Sequence, residues 1–218
     1  MKVMILAAGR GERLRPLTDT TPKPLLEVQG KPLIVHHLER LHAAGFADVV
    51  INVAWLADKI KNFLGDGSRY GVRIRYSEEQ EGALETGGGI LKALPLLGTE
   101  PFLMVNGDIY TDFPFETLKS ALKRGDLAHL VMVPNPPHHP QGDFFLDRDR
   151  HLRADGMPRL TYSGIGVHHP DFFRDCSPGK FPMLPWWQRA IHVGRVGGQL
   201  YVGRWHDLGT LESLCAFL

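Results

Sequence analysis

The residues whose types and spacing speak of chemistry begin with "LAAGRGERLRPLT", Leu6 to Thr18, followed shortly by "TPKPLL", in which Lys23 stands between two prolines. Glycines after a buried apolar run let backbone N–H groups approach a ligand closely, and successive amides form a concavity for an anion. Arg10, Arg13, Arg15 and Lys23 add positive charge around Gly9 and Gly11. A bare Gly-x-Gly-x-Arg also occurs in ordinary strand-to-helix turns, so the motif is weak by itself. Pro22 and Pro24 fix their own φ angles and bias Thr21 and Lys23 toward extended backbone, which presents the ammonium from a stiff segment. Such a set is suited to gripping a chain of phosphates.

Two other phosphate-binding patterns fail. A P-loop needs Gly-Lys-Ser/Thr at the helix start, and the dinucleotide fingerprint needs a third glycine where this chain has Leu14. Acidic partners lie far away in sequence. Asp108 closes the apolar run "PFLMVNGD", at the carboxyl edge where open α/β sheets bind ligands, and Asp207 sits in "RWHDLGT". Two such carboxylates meeting across one cleft could hold Mg²⁺ with oxygen ligands, although spacing alone does not bring them together.

The paired segments resemble the signature of the sugar-1-phosphate nucleotidyltransferases, roughly L-x-x-G-x-G-x-R-L-x-P-L-T with P-K-P downstream, and nearly every position matches. The resemblance covers essentially the whole chain. It implies a GT-A-like, Rossmann-like α/β fold, a nucleoside triphosphate and a sugar-1-phosphate as substrates, and Mg²⁺ as cofactor. On that resemblance Ala8, Gly9, Gly11, Glu12, Arg13, Lys23, Glu85 and Thr86 bind the nucleotide, with Glu85 in "LETGGG" standing where the family usually has glycine. Arg13 would hold the departing β,γ-phosphates, Lys23 would neutralise charge near the α-phosphate, and Asp108 and Asp207 would hold the metal. Asn106, Gly142 and Ser163 are the candidates for the sugar phosphate.

Further segments, "DVVINVAWL", "LETGGGI", "VNGDIYTD", "NPPHHPQGDF" and "LTYSGIGV", are together similar to the branch that joins UTP to N-acetylmuramate-1-phosphate in peptidoglycan recycling. The Glu-Lys-Pro segment frequent in glucose-1-phosphate enzymes is missing, and "GMPRLTYSG" occupies that region. The alternatives are another sugar-1-phosphate nucleotidyltransferase, either a mannose-1-phosphate guanylyltransferase or a glucose-1-phosphate uridylyl- or thymidylyltransferase, or a catalytically silent nucleotide-sugar sensor.

The elements that must position these residues follow from hydrophobic periodicity. Val3 to Ala7, "DVVINV", "VRIRY", "PFLMVNGD" and "LAHLVMV" read as strands, while "PLIVHHLERLHAAG", "LADKIKNFL", "GGGILKALPLL" and "FETLKSALKRG" read as helices. Their alternation predicts a mixed, mostly parallel sheet with helices on both faces. The proline-rich "PNPPHHPQGD" interrupts this rhythm, and strands are expected near Phe144, Leu160 and Leu200. Residues 1–218 read as a single domain, nucleotide-binding in the first half and mostly sugar-binding in the second, with no hexapeptide repeat for an appended β-helix.

Composition agrees with this reading. Twenty-five basic against 24 acidic residues leave a net charge of +1, so neither nucleic acid nor a membrane surface is an expected partner. A monomer is compatible with the reading, which leaves oligomeric state open. The two cysteines, Cys176 and Cys215, form no zinc or disulfide pattern, and no run is long enough to span a bilayer, so a cytoplasmic location is expected. Cys215 is expected to be buried in the last helix. The doublets His36-His37, His138-His139 and His168-His169 are adjacent pairs, which point apart on a strand or helix and seldom chelate one ion, so they read as structural or loop residues.

Overall fold

The computed structural model describes residues 1–79 and 82–217. Four short apolar runs, β1 (Val3–Leu6), β2 (Asp48–Val53), β3 (Arg73–Glu78) and β4 (Phe102–Asn106), lie in the spatial order β3-β2-β1-β4, and every pairing among them is parallel. The central strand is apolar throughout because both faces of the sheet are covered. Val3 and Ile5 face α1 (Leu33–Ala43) and α2 (Ala57–Leu64), packing with Ile34, Leu38, Leu41, Ile60 and Leu64. Met4 points the other way, into a second core with Ile90, Ala93 and Leu97 of α3 (Glu85–Leu97). The alternation of two along the strand and the helical spacing of the partners together put helices on both faces.

The second half turns largely antiparallel. It contains β5 (Ile109–Thr111), β6 (Ala128–Val133), β7 (Phe144–Leu146), β8 (Leu152–Arg153), β9 (Arg159–His168), α4 (Leu184–His192), β10 (Val196–Leu200), β11 (Trp205–Asp207) and α5 (Leu211–Phe217). β9 carries β6 along one edge, and β10 extends the sheet parallel to β6. On its other edge it pairs with β7 at Arg159 and Leu160 and with β4 from Ile165 to His168. Residues 161–164 pair with neither strand, so that edge opens into a cavity instead. The expected helix at "FETLKSALKRG" is a 3-10 segment, Phe115–Ser120. Cys215, expected inside, is exposed on α5, whose buried side chain is Leu214.

A third, small core decides how the two halves meet. Leu14, Val28, Leu33, Tyr110, Leu208 and Leu214 are buried together, with Phe217 packed against them. Leu14 follows Arg13 and Leu208 follows Asp207, so this cluster seats two candidate site residues that lie far apart in sequence. The short β5–β11 ladder does the same for the carboxylates, since Asp207 sits opposite Ile109, the neighbour of Asp108.

Candidate active site

β1 ends at Leu6, and the chain leaves the sheet through Ala7 to Gly11 at the carboxyl edge of the parallel strands. A cavity of about 210 Å³ lies there, lined by Ala8, Gly9, Gly11, Lys23, Glu85, Thr86, Asn106 and Asp108 among others. Gly11 has φ 72°, and a Cβ there would lie 2.8 Å from the Thr18 methyl, so the turn requires glycine. A second cavity, of about 340 Å³, opens at the unpaired edge of β9 and is lined by Arg13, Asn106, Asp108, Asp143, Ser163 and Asp207 among others. Asn106 and Asp108 line both cavities and form their common wall.

Of the four cations around the loop, Arg10, Arg15 and Lys23 are paired with carboxylates and Arg13 stands apart. Arg10 bonds Asp19 and Glu12 and stacks 4.1 Å from the Trp55 ring centre, while Arg15 bonds Asp19 at 2.9 Å. Arg13 has no ion-pair partner among the described residues, and its guanidinium lies close to Gly209, beside Asp207. Glu12, expected at the nucleotide, is instead the acidic partner of Arg10 and Arg15 and does not line either cavity. Lys23 opens a 3-10 turn (Lys23–Leu25) rather than staying extended, because the next turn closes with Leu26 N–H donating to the Lys23 carbonyl at 3.1 Å. Thr21 is extended as expected.

The Lys23 ammonium donates to Asp108 Oδ2 at 2.5 Å, and its side chain is 13% exposed. Burial pushes the Asp108 carboxyl up, but the charge and hydrogen bond of Lys23, with Arg13 behind, outweigh it and hold the group below its ordinary value. His37, buried nearby, is lowered to about 4 chiefly by burial and so adds no charge at neutral pH. Asp207 Oδ1 accepts from the Gly209 N–H at 2.8 Å. Each carboxylate therefore keeps its second oxygen outside that bond, and both residues line the second cavity. Among the described residues no three His, Cys, Asp or Glu side chains are grouped to hold a metal. Two carboxylates with open space for phosphate oxygens is the donor set Mg²⁺ takes, so the residues fit that ion.

Two residues unseen in the sequence pattern, Asn52 and Glu79, also line the first cavity. Asn52 Oδ1 accepts from Ala7 N–H at 2.7 Å, Asn52 Nδ2 donates to Glu79 Oε1 at 2.7 Å, and Glu79 Oε2 accepts from Leu84 N–H at 2.7 Å. The chain thus ties the end of β1 to the start of α3 through a buried carboxylate. Glu85, the next residue, has φ 60°, a conformation in which glycine is free of strain; this accounts for the glycine usual at that position.

On the sugar side, Gly164 has φ 81°, and a Cβ there would lie 2.9 Å from the Asn106 side chain. That glycine, which drew no attention in the sequence, sets where Asn106 stands. Ser163 lines the cavity, yet its hydroxyl accepts from Ile165 N–H at 3.2 Å. Gly142 is buried against Asn135 and Arg159 and lines neither cavity; its neighbour Asp143 does, accepting from Tyr162 N–H at 2.7 Å. His138 and His139 also line it, unlike His36, which binds the Val28 carbonyl, and His168, which accepts from Trp187 in the second core.

Fold and site together define a nucleotidyl transferase: that family's sequence profile matches residues 2–146, and the chain belongs to it. It is 54% identical over 220 residues to the N-acetylmuramate alpha-1-phosphate uridylyltransferase of Neisseria meningitidis serogroup B, covering 98% of this chain and 95% of that one. The protein of the same name from Caulobacter vibrioides is 37% identical over 226 residues, covering 98% and 93%. The fold matches a crystal structure described as a putative glucose-1-phosphate thymidylyltransferase from Bacillus anthracis, with a TM-score of 0.86 at 21% identity over all of this chain and 93% of that one. Among the described residues no helix is long and apolar enough to cross a membrane.

Proposed function

We infer that this chain transfers the uridylyl group of UTP to N-acetylmuramate-1-phosphate, giving UDP-N-acetylmuramate and pyrophosphate, a reaction of peptidoglycan recycling. The observation that carries the reaction type is the common wall: Asn106 and Asp108, the latter bonded by Lys23 from the first cavity, stand where that cavity and a second, polar cavity adjoin. The likeness over nearly the full length to the Neisseria protein supports the choice of substrates.

A phosphate monoester has its second pKa near ~6, so the attacking oxygen is largely ionised at neutral pH and no general base is needed. That oxygen attacks the α-phosphorus of UTP, and the bond to the β-phosphate oxygen breaks. The obstacle is like charge, about 1 kcal/mol per unit pair at 4 Å even in water and more in a cleft. Lys23 offsets charge at the common wall, Arg13 takes the departing phosphates, and N–H groups of the Gly9–Gly11 loop offer donors. Glu85 and Thr86 border the base, whose pocket floor is held by the Asn52–Glu79 bonds. Asp108 and Asp207 would hold Mg²⁺, which supplies charge neutralisation on phosphate oxygens during in-line displacement.

The test is pyrophosphate release with UTP and N-acetylmuramate-1-phosphate, beside the glucose, N-acetylglucosamine and mannose 1-phosphates and with GTP as the alternative nucleotide. Selective release with UTP and the muramate compound is expected. Preference for another pair would overturn the substrates, and silence with all pairs would overturn the reaction.

A further inference from the structure

N-acetylmuramate differs from N-acetylglucosamine by a lactyl ether on O3, which brings one more carboxylate into the sugar cavity. This inference rests on the substrate reading above. The cavity already holds Asp108, Asp143 and Asp207, so an added anion needs donors that are not committed to the phosphates. Arg13 also lines this cavity, close to Asp207, but the reaction proposed above commits it to the departing phosphates.

Apart from Asn106 on the wall shared with the first cavity and Trp205, whose indole N–H donates to the Ser163 carbonyl at 2.8 Å, the remaining nitrogen donors among the lining side chains are His138 and His139. Their loop is stiff, with Pro134, Pro136, Pro137 and Pro140 fixing φ at close intervals. It is also tied down: Asn135 Nδ2 donates to the carbonyls of Pro140 and Arg159, each at 3.0 Å, and His139 N–H donates to the Pro136 carbonyl at 2.9 Å. The His139 ring is set by Asp143, whose Oδ1 lies 3.1 Å from Nε2 while Oδ2 accepts from Tyr162 N–H. His138 Nε2 lies 4.0 Å from Asp207 Oδ2, beyond hydrogen-bond reach, and among the described residues its ring makes no hydrogen bond where it lines the cavity. A neighbouring groove of about 530 Å³ shares His138, Trp205 and Asp207 with the sugar cavity, which gives a branch on the sugar ring room to extend past the imidazole.

We propose that His138, with His139 beside it, receives the lactyl carboxylate and thereby distinguishes N-acetylmuramate-1-phosphate from sugar phosphates that lack it. Both are specificity-determining residues; neither touches the reacting atoms.

The experiment measures kcat and KM of the wild type and of His138→Ala and His139→Gln, with UTP and N-acetylmuramate-1-phosphate. N-acetylglucosamine-1-phosphate is compared as a substrate or, if it is turned over too slowly, as a competitive inhibitor. A hydrogen bond to a charged group contributes enough that its loss should raise KM for the muramate compound about tenfold or more, with kcat changed far less. The binding ratio between the two sugars should fall by the same factor, and KM for UTP should hold. An equal loss for both sugars, or no change in the ratio, overturns the proposal. Because the His138 ring has no hydrogen-bonded partner among the described residues, His138→Ala is expected to fold normally, and a matched melting temperature separates recognition from loop collapse. Wild-type enzyme that ignores N-acetylmuramate-1-phosphate but uses another sugar overturns the substrate reading, and this inference with it, before any variant is made.

Discussion

Replacing Lys23 by methionine keeps the shape of the stem and removes the charge that Asp108 faces at 2.5 Å. Breaking one partner out of a fully buried pair costs roughly 3–5 kcal/mol, because the other charge is left without compensation. Here the side chains are 13% and 30% exposed, so solvent screening lowers the expected loss to about 2–3 kcal/mol. For a chain of this size that is a drop in melting temperature of about 4–12 °C. The double variant Lys23→Met/Asp108→Asn removes the stranded charge and should recover at least about 1 kcal/mol relative to the sum of the single variants. The assay is urea unfolding of the four proteins without ligands.

Acid supplies an independent reading of the same pair. In the wild type the Asp108 carboxyl is held below its ordinary value, so its stabilising contribution is present above pH ~4 and is lost as pH falls through the folded value. In Lys23→Met only burial acts strongly on that carboxyl, which favours the protonated form, so the deficit of the variant should shrink as the pH is lowered past ~4. Additive single losses, or a deficit that does not change with pH, would refute the reasoning that Lys23 neutralises a buried carboxylate.

Asp207→Asn should keep the fold and lower Mg²⁺-dependent turnover by at least about 100-fold, with weaker Mg²⁺ binding by calorimetry in the presence of UTP; near-normal values of both would remove it from the metal set. Glu79→Gln places an N–H donor where Glu79 now accepts from Asn52 or Leu84, costing about 1–3 kcal/mol in urea unfolding, and should raise KM for UTP more than KM for the sugar phosphate. Gly164→Ala must accommodate φ 81° and a Cβ 2.9 Å from Asn106, so a loss of about 1–2 kcal/mol and a higher KM for the sugar phosphate are expected from unfolding and kinetics.

The parts of the molecule that were legible in the sequence are those that follow from local rules. β1, β2 and β4 are short apolar runs at the spacing of a parallel sheet, and Gly9, Gly11 and Lys23 announced the loop. What depends on tertiary partners was not legible. That Arg10 and Arg15 are paired while Arg13 has no ion-pair partner among the described residues is decided by where Asp19 and Trp55 stand after folding. Asn52 and Glu79 look like ordinary polar residues at strand ends until their bonds to Ala7 and Leu84 are seen. Gly142 drew attention through its motif, but the chain turns it inward and presents Asp143. Adjacent histidines argue against chelation, and that argument does not bear on His138 and His139, which line a cavity from a loop.

The small core of Leu14, Leu208 and Leu214 has a consequence for biosynthesis. Every residue named at the nucleotide cavity is among the first 108 positions, so that half of the site can take shape while the ribosome is still making the rest. Asp207 arrives only when β11 pairs with β5 and Leu208 docks beside Leu14, a closure across most of the chain and so one of the last contacts to form. A nascent or truncated chain lacking residues 205–217 would therefore present the first cavity without Asp207, the second carboxylate of the proposed metal set.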